Sequence, residues 1–290
     1  KFLRPGRRMR TLAFLLFDHV AGMDTLLYTL AQGGTLIITR RRDPDAILGL
    51  IERARVEVLP ASPSFLRLLC LSTDTNGRDL SSLKIITYGS EPMDAATLGR
   101  LNSLLPGVRL EQKYGTTETG SPRSVSRDNN SLWLKLTDSR LETRVEDGVL
   151  WMRGESTILG YLNAPSPVGD SGWYCTGDRV EVDGEWIRFL GRASEMINVG
   201  GEKVSPTEVE QIMLELPQVR EVLVRGEPHA LMGQIVTALV VLAKGSDERE
   251  TIRQIRSHCG QRLPRYKIPV KINVSTASLA GSRHKMIRCG

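Results

Sequence analysis

Short apolar runs and helix-period stretches alternate along the first part of the chain. Leu12 to Phe17 reads as a strand, and Met23 to Leu30 as a helix that stops at Gly33-Gly34. Thr35 to Thr39 is a second strand. Asp43-Pro44-Asp45 opens a helix whose Ile47, Leu50, Ile51 and Ala54 repeat at i, i+3, i+4 and i+7. Val56 to Leu59, Lys84 to Tyr88 and Val108 to Lys113 are further strands, interleaved with helices over Pro63 to Leu71 and Pro92 to Leu105. This alternation predicts a largely parallel sheet covered on both faces. Ligands in such sheets sit beyond the carboxyl ends of the strands. Two loops occupy that position: Gly89-Ser90-Glu91-Pro92 and Tyr114-Gly115-Thr116-Thr117-Glu118.

The pattern changes twice. From about Ser121 to Leu190 the helical period disappears. Short alternating runs remain at Trp133–Leu136, Glu142–Glu146, Val149–Arg153, Val180–Val182 and Trp186–Leu190, with Asp-Gly turns at Asp147-Gly148 and Asp183-Gly184. After Arg192 comes a helix, Ser205 to Leu216, then strands at Val219–Arg225 and Ile235–Leu242, a helix from Asp247 to Leu263 and a strand near Val270–Val274. Ser205 reads as the N-cap of the first of these helices, with Pro206 at its first position and Glu208 closing a capping box. The fold class is therefore α/β. A partial parallel α/β layer over 1–120 is joined by a β-barrel-like subdomain over 121–192, and a small α+β C-terminal domain follows over 193–290.

Composition narrows the function classes. The 290 residues are 40% hydrophobic and 25% charged, ordinary for a globular protein with more than one core. The net charge of +6 gathers partly at Lys1 to Arg10 and at Arg40-Arg41-Arg42, without interleaved aromatics or a known nucleic-acid module. No nucleic-acid partner is expected; a solvated basic face or a site for small anions is. Cys70, Cys175, Cys259 and Cys289 are far apart and lack Cys-x-x-Cys spacing, which fits a reducing cytoplasm. The longest apolar runs, such as Thr11–Phe17 and Ile235–Ala243, are too short for a membrane span.

The chemistry concentrates in Gly172–Glu210. Trp173-Tyr174 leads into a turn, Thr176-Gly177-Asp178, that presents one carboxylate. Gly191-Arg192 ends a strand, and Ala193-Ser194-Glu195 is small and polar enough to absorb a rotation. At Val199-Gly200-Gly201 the backbone can approach something closely. Taken alone, Asp178 reads as a turn-stabilising residue, Arg192 as a surface cation and the Tyr114–Glu118 loop as a polar turn.

Together, the Tyr-x-Thr-Gly-Asp sequence at Tyr174–Asp178, Gly191-Arg192 and Tyr114-Gly115-Thr116-Thr117-Glu118 resemble the adenylate-forming superfamily of acyl- and aryl-CoA synthetases, luciferase-like enzymes and peptide-synthetase adenylation domains. The resemblance implies that 1–192 is the C-terminal part of a large adenylation domain and 193–290 its small mobile partner, swivelling at Arg192–Ser194. It implies that Tyr114 stacks on adenine and that Gly89, Ser90, Glu91 and Pro92 line the adenine pocket. Gly115 and Thr116 belong to the same nucleotide-binding loop, Thr117 bonds the α-phosphate, and Glu118 holds Mg2+. Asp178 accepts the ribose hydroxyls, helped by Arg192. Ser282-Arg283-His284-Lys285-Met286-Ile287-Arg288 is similar to the family's last motif, which makes Lys285 the bridge between acyl carboxylate and α-phosphate. His284 stands where the family has Gly, and Ser194 where it usually has Asp or Lys. The acyl pocket would use Phe17–Met23, with His19 beside the substrate carboxylate, and Pro60–Phe65. Gly201 would line the arm of CoA.

The implied activity is an ATP-dependent carboxylic-acid:CoA ligase that forms an acyl-adenylate and then a thioester, with ATP/AMP, Mg2+ and CoA as ligands and a fatty or aryl acid as substrate. One alternative is an acyl-AMP ligase loading an acyl carrier protein; another is a nucleotide-binding fragment without catalysis. The family's phosphate-gripping loop, rich in Ser, Thr and Gly and ending Pro-Lys-Gly, does not occur in this sequence. The chain is thus expected to match only the later part of the family's length and to be inactive alone.

Overall fold

A computed structural model describes residues 8–72, 77–169 and 171–281. Five parallel strands form the first sheet, in the order β2-β1-β3-β4-β5. They are β1 (Arg10–Ala13), β2 (Thr35–Ile38), β3 (Val58–Ala61), β4 (Ile85–Tyr88) and β5 (Arg109–Gln112). Between them run α1 (Val20–Ala31), α2 (Pro44–Ala54), α3 (Pro63–Leu71) and α4 (Ala95–Leu104). Local chemistry sets the helix starts. Asp43, Ser62 and Asp94 each accept a backbone N–H three residues on, so α2, α3 and α4 begin just after them. Pro92 consequently lies in the loop and not in α4. The first strand also falls earlier than the apolar run suggests. Only Arg10–Ala13 finds a partner in Thr35–Ile38, while Leu15 to Phe17 lead into α1. Leu12, Phe14, Ile47, Ile51, Leu59, Phe65 and Ile86 belong to one core, with the Phe14 and Phe65 rings 4.2 Å apart.

The second sheet is antiparallel, six-stranded and ordered β6-β7-β11-β10-β9-β8. Its strands are β6 (Ser124–Ser126), β7 (Leu134–Leu136), β8 (Leu141–Glu146), β9 (Val149–Gly154), β10 (Tyr174–Asp183) and β11 (Trp186–Arg192). Thr176-Gly177-Asp178 is not a turn. It is the irregular middle of β10, where the register shifts between Cys175 and Arg179 and again between Arg179 and Val180. That irregularity sets Asp178 directly opposite Arg192 on β11. Asp147 and Gly148 both have positive φ and form the two-residue turn expected between β8 and β9. In the next hairpin the turn residues are Gly184 and Glu185, because Asp183 still pairs with Trp186.

The third sheet contains β12 (Ile197–Val199), β13 (Glu202–Val204), β14 (Val219–His229), β15 (Gly233–Leu242) and β16 (Lys271–Val274), packed against α5 (Pro206–Leu214) and α6 (Glu248–Arg262). Val204, Val209, Met213, Val224, Val236 and Ile255 lie in its core. Ser205 is the N-cap residue of α5, but its side chain makes no capping bond. Its hydroxyl instead donates to Leu190 O at 2.9 Å, tying α5 to β11. Glu208 is drawn away by Lys267, whose ammonium lies 2.7 Å from both carboxylate oxygens. The expected capping box is replaced by these two tertiary contacts.

Gly200 and Gly201 form the turn between β12 and β13, with φ +59° and +94°. A Cβ on Gly201 meets nothing within 4 Å, whereas one on Gly115 would lie 2.6 Å from Gly120 O and 2.8 Å from Ser121 Cα. Gly201→Ala should cost only backbone strain, of order 1 kcal/mol. Gly115→Ala should cost about 2–3 kcal/mol through overpacking against fixed backbone. Urea midpoints of the two variants check the ranking, and a larger loss at Gly201 contradicts it.

Candidate functional site

The loops after β3, β4 and β5 open with β10 and β11 onto one cleft of about 420 Å³. Ser64, Ser90, Glu91, Pro92, Tyr114, Gly115, Asp178, Phe189 and Arg192 line it, and Glu210, Glu221 and Ala280 close it from the third sheet's side.

Asp178 is the centre of the polar wall. Its Oδ2 accepts the Tyr114 hydroxyl at 2.7 Å, and its Oδ1 lies 2.8 Å from Arg192 Nε. Arg192 also donates to Thr176 O at 3.2 Å. The Tyr114 ring stacks on Phe189 with centroids 4.1 Å apart and 20° between planes. Burial raises the pKa of Asp178, against the opposing pull of Tyr114's hydrogen bond and Arg192's charge. Burial, followed by Asp178's negative charge, also raises that of Tyr114, which stays a neutral donor. Each carboxylate oxygen can accept two hydrogen bonds, so lone pairs remain for a ligand that brings hydroxyls.

The loop after β4 is held by α3. Glu91 Oε2 accepts Ser64 N at 3.2 Å and Ser64 Oγ at 2.8 Å, and Arg67 pairs with Asp94. Ser64 and Arg67 lie one helical turn apart, as Glu91 and Asp94 lie on either side of Pro92-Met93. A helix face thus grips both shoulders of the loop. Just before Glu91, Ser90 takes φ +66°, and a Cβ on Gly89 would lie 2.3 Å from Lys113 O, so the loops after β4 and β5 touch backbone to backbone.

Further along the loop after β5, Thr116 is buried and bonds Thr119, while Thr117 is exposed. Glu118 Oε1 accepts the Tyr161 hydroxyl at 2.6 Å. Burial acts to raise the Glu118 pKa, but hydrogen bonds from Tyr161, its own backbone, Tyr174 and Thr116 outweigh it and the net shift is downward. Neither Thr116, Thr117 nor Glu118 is a cleft-lining residue. His19 is away from the cleft too. It is the N-cap of α1, its Nδ1 accepting Ala21 N at 3.3 Å. Gly201 sits at its exposed turn, outside the cleft lining. Lys285 lies outside the described residues. The described chain reaches the cleft at Ala280, anchored by Glu221, which accepts Leu279 N at 2.7 Å and Ser278 Oγ at 2.9 Å.

Residues 3–162 match the family profile of the AMP-binding enzyme, and residues 208–283 that of the AMP-binding enzyme C-terminal domain. The chain belongs to the AMP-binding enzyme family. Acyl-CoA synthetase 7 of Caenorhabditis elegans is 32% identical over 294 residues, covering 96% of this chain and 54% of its own length. The long-chain-fatty-acid–CoA ligase FadD13 of Mycobacterium tuberculosis is 30% identical, covering 91% and 55%. The chain thus spans about half the length of the curated relatives it matches. Among solved structures, the anthranilate CoA ligase AuaEII in complex with anthranoyl-AMP superposes with a TM-score of 0.85 at 25% identity, covering 98% of this chain and 58% of that one. ATP-bound MatB from Rhodopseudomonas palustris superposes with a TM-score of 0.82 at 26% identity, covering 97% and 59%.

No group of three or more His, Cys, Asp or Glu able to hold a metal ion occurs among the described residues. Magnesium does not need one. It takes one or two carboxylates and completes its octahedron with water and substrate phosphate oxygens, a demand that Glu118, held by neutral hydroxyls and its own backbone N–H, fits. Sequence reasoning missed Arg67, Phe189 and Tyr161 as parts of the site, and it placed Ser64 in the Pro60–Phe65 segment without its bond to Glu91. Ser64 and Arg67 each act on a residue 27 positions away and Tyr161 on one 43 away, so no local pattern flags them.

A raised pKa means that folding holds the Asp178 proton more tightly than the unfolded chain does. Its contribution to stability is full below the ordinary value of 3.8 and is lost as pH rises through the raised value. Asp178→Asn removes that dependence. Between pH 4 and pH 7 the parent should therefore lose stability relative to the Asn variant in paired urea titrations. A difference that stays flat, or moves the other way, contradicts the burial argument.

Proposed function

We propose that this chain is the nucleotide-holding and mobile-domain portion of an ATP-dependent carboxylic acid–CoA ligase. The observation that carries the reading is the Asp178 carboxylate, buried between Tyr114 and Arg192 in a cleft built from three strand-end loops. A carboxylate in that setting suits a vicinal diol, the donor pair of a ribose. Ser90, Glu91 and Pro92 lie on the same wall, where backbone groups can read an adenine edge. Tyr114 contributes its ring to the same side, backed by Phe189.

In the proposed reaction, the substrate carboxylate attacks the α-phosphorus of ATP, giving an acyl-adenylate and releasing pyrophosphate. A thiol then attacks the acyl carbonyl, forming a thioester and releasing AMP. Thr117 would hold the α-phosphate and Lys285 would bridge it to the acyl carboxylate, while His19 would stand beside the acid. A divalent cation on Glu118 would supply positive charge to the phosphates. The chain would divide at 192–193, with Arg192–Ser194 as swivel. Ala193 and Ser194 are exposed, which leaves that short link free to turn. Gly201 would then line the thiol's path in the rotated arrangement. CoA is our reading of the acceptor, and supplying CoA or an acyl carrier protein to preformed adenylate separates the two. Free thiols at Cys70, Cys175 and Cys259 fit a cytoplasmic protein, and no described helix is long and apolar enough to cross a membrane.

The test is carboxylic-acid-dependent exchange of pyrophosphate into ATP by the protein that carries this chain, over a panel of fatty and aryl acids. In the chain itself, Asp178→Ala should weaken AMP binding by roughly a hundredfold in calorimetry, two charge-assisted bonds together contributing about 3 kcal/mol. Exchange that ignores the acid, or AMP affinity indifferent to Asp178, would sink the reading.

A further inference from the structure

The long connection between β9 and β10 folds back onto the loop after β5 at three points. Ser156 Oγ donates to Thr119 O at 2.7 Å, and Ile158 N to Glu118 O at 2.8 Å. The third is Tyr161, whose hydroxyl reaches Glu118 Oε1 at 2.6 Å. Tyr161 is 43% exposed, and Leu159 and Leu162 beside it are 102% and 107% exposed. The aromatic ring therefore has no core to fill, and its bond to Glu118 is what fixes its place. Among the described residues, no Lys or Arg forms an ion pair with Glu118. Its partners are the hydroxyls of Tyr161, Tyr174 and Thr116 and its own backbone N–H, so its negative charge is oriented but not neutralised.

From this geometry we propose that Tyr161 is a positioning residue for Glu118. By engaging Oε1 it holds the carboxylate in one rotamer with the other oxygen turned to a hard divalent cation shared with nucleotide phosphates. The inference rests on the reading of Glu118 as the cation-holding carboxylate. It adds that the β9–β10 connection, far from the loop in sequence, sets the affinity of that position. Partners that orient a ligating carboxylate typically change metal affinity by about 10- to 100-fold when removed.

The probe is Mn2+ with ATP, read as enhancement of water-proton relaxation over Mn2+–ATP alone. The chain is compared with Tyr161→Phe and Glu118→Gln, with AMP affinity and urea midpoint measured beside it. We expect Glu118→Gln to abolish the protein-dependent enhancement. Tyr161→Phe should weaken the Mn2+ dependence by about tenfold and leave AMP affinity and the urea midpoint near those of the parent. If Glu118→Gln acts and Tyr161→Phe does not, the positioning role is overturned and the Glu118 assignment stands. Equal loss of AMP affinity and Mn2+ dependence in Tyr161→Phe overturns it as well, since the residue then merely supports the loop. Enhancement that survives in Glu118→Gln, or is absent in the parent, overturns the Glu118 reading and the inference with it.

Discussion

One partly buried carboxylate joins the pieces of this protein. Asp178 lies on the second sheet, accepts from a tyrosine on the loop that leaves the first, and pairs across strands with the last residue of β11 before the chain enters the third unit. Moving it by one residue would turn its side chain to the opposite face. The register shifts in β10 on either side of Arg179 therefore carry functional weight: they decide which side chain faces the cleft. Keeping that group buried and only partly compensated costs stability, and what the cost leaves is an acceptor with spare lone pairs where a ligand can reach it.

The joint between β11 and the third unit is light. Ser205 Oγ to Leu190 O, Gln211 Nε2 to Met93 O at 3.3 Å and the close approach of Gly191 to Thr207 are its polar and steric fastenings. Each unit has its own core, and among the described residues the two share no buried apolar cluster. Separate cores joined by few polar fastenings can part without unfolding either side, which is the physical requirement of the proposed swivel.

Where the determinants were local, the sequence was readable. Asp43-Pro44 and Ser62-Pro63 cap the helices they open, and α3 begins and ends where its pattern says. Asp147-Gly148 makes its turn. Tyr114, Asp178 and Arg192 from three separate motifs line one cleft, while Thr116, Thr117 and Glu118 of the first motif do not. Where two weak preferences competed, tertiary contacts decided. Ser205 gave up its capping bond for Leu190 O, and Glu208 was taken by Lys267. The supports of the site stayed hidden for a different reason. Arg67 on Asp94, Ser64 on Glu91 and Phe189 on Tyr114 are pairings between distant segments, and each residue alone has the look of ordinary helix or strand.

Charge argues for which end of a nucleotide this cleft can hold. Its lining carries six carboxylates, Glu91, Asp94, Asp178, Glu195, Glu210 and Glu221, against three cations, Arg67, Lys113 and Arg192. Arg67 is already spent on Asp94, both side chains being at least nine-tenths buried. A triphosphate pressed into that lining would meet net repulsion, whereas the hydroxyls and amino group of adenosine are hydrogen-bond donors and find acceptors on every side. The acceptor-rich cleft is thus suited to the nucleoside, and the proposed reading puts the phosphates toward the Thr116–Glu118 loop. Positive charge has to be brought to them there. In the proposed reading the sources are a cation on Glu118 and Lys285, which stands between Arg283 and Arg288 in the sequence. On the proposed reading, nucleotide affinity and chemistry are thereby divided: the acceptor-rich wall recognises the neutral end, and positive charge is supplied separately to the anionic end.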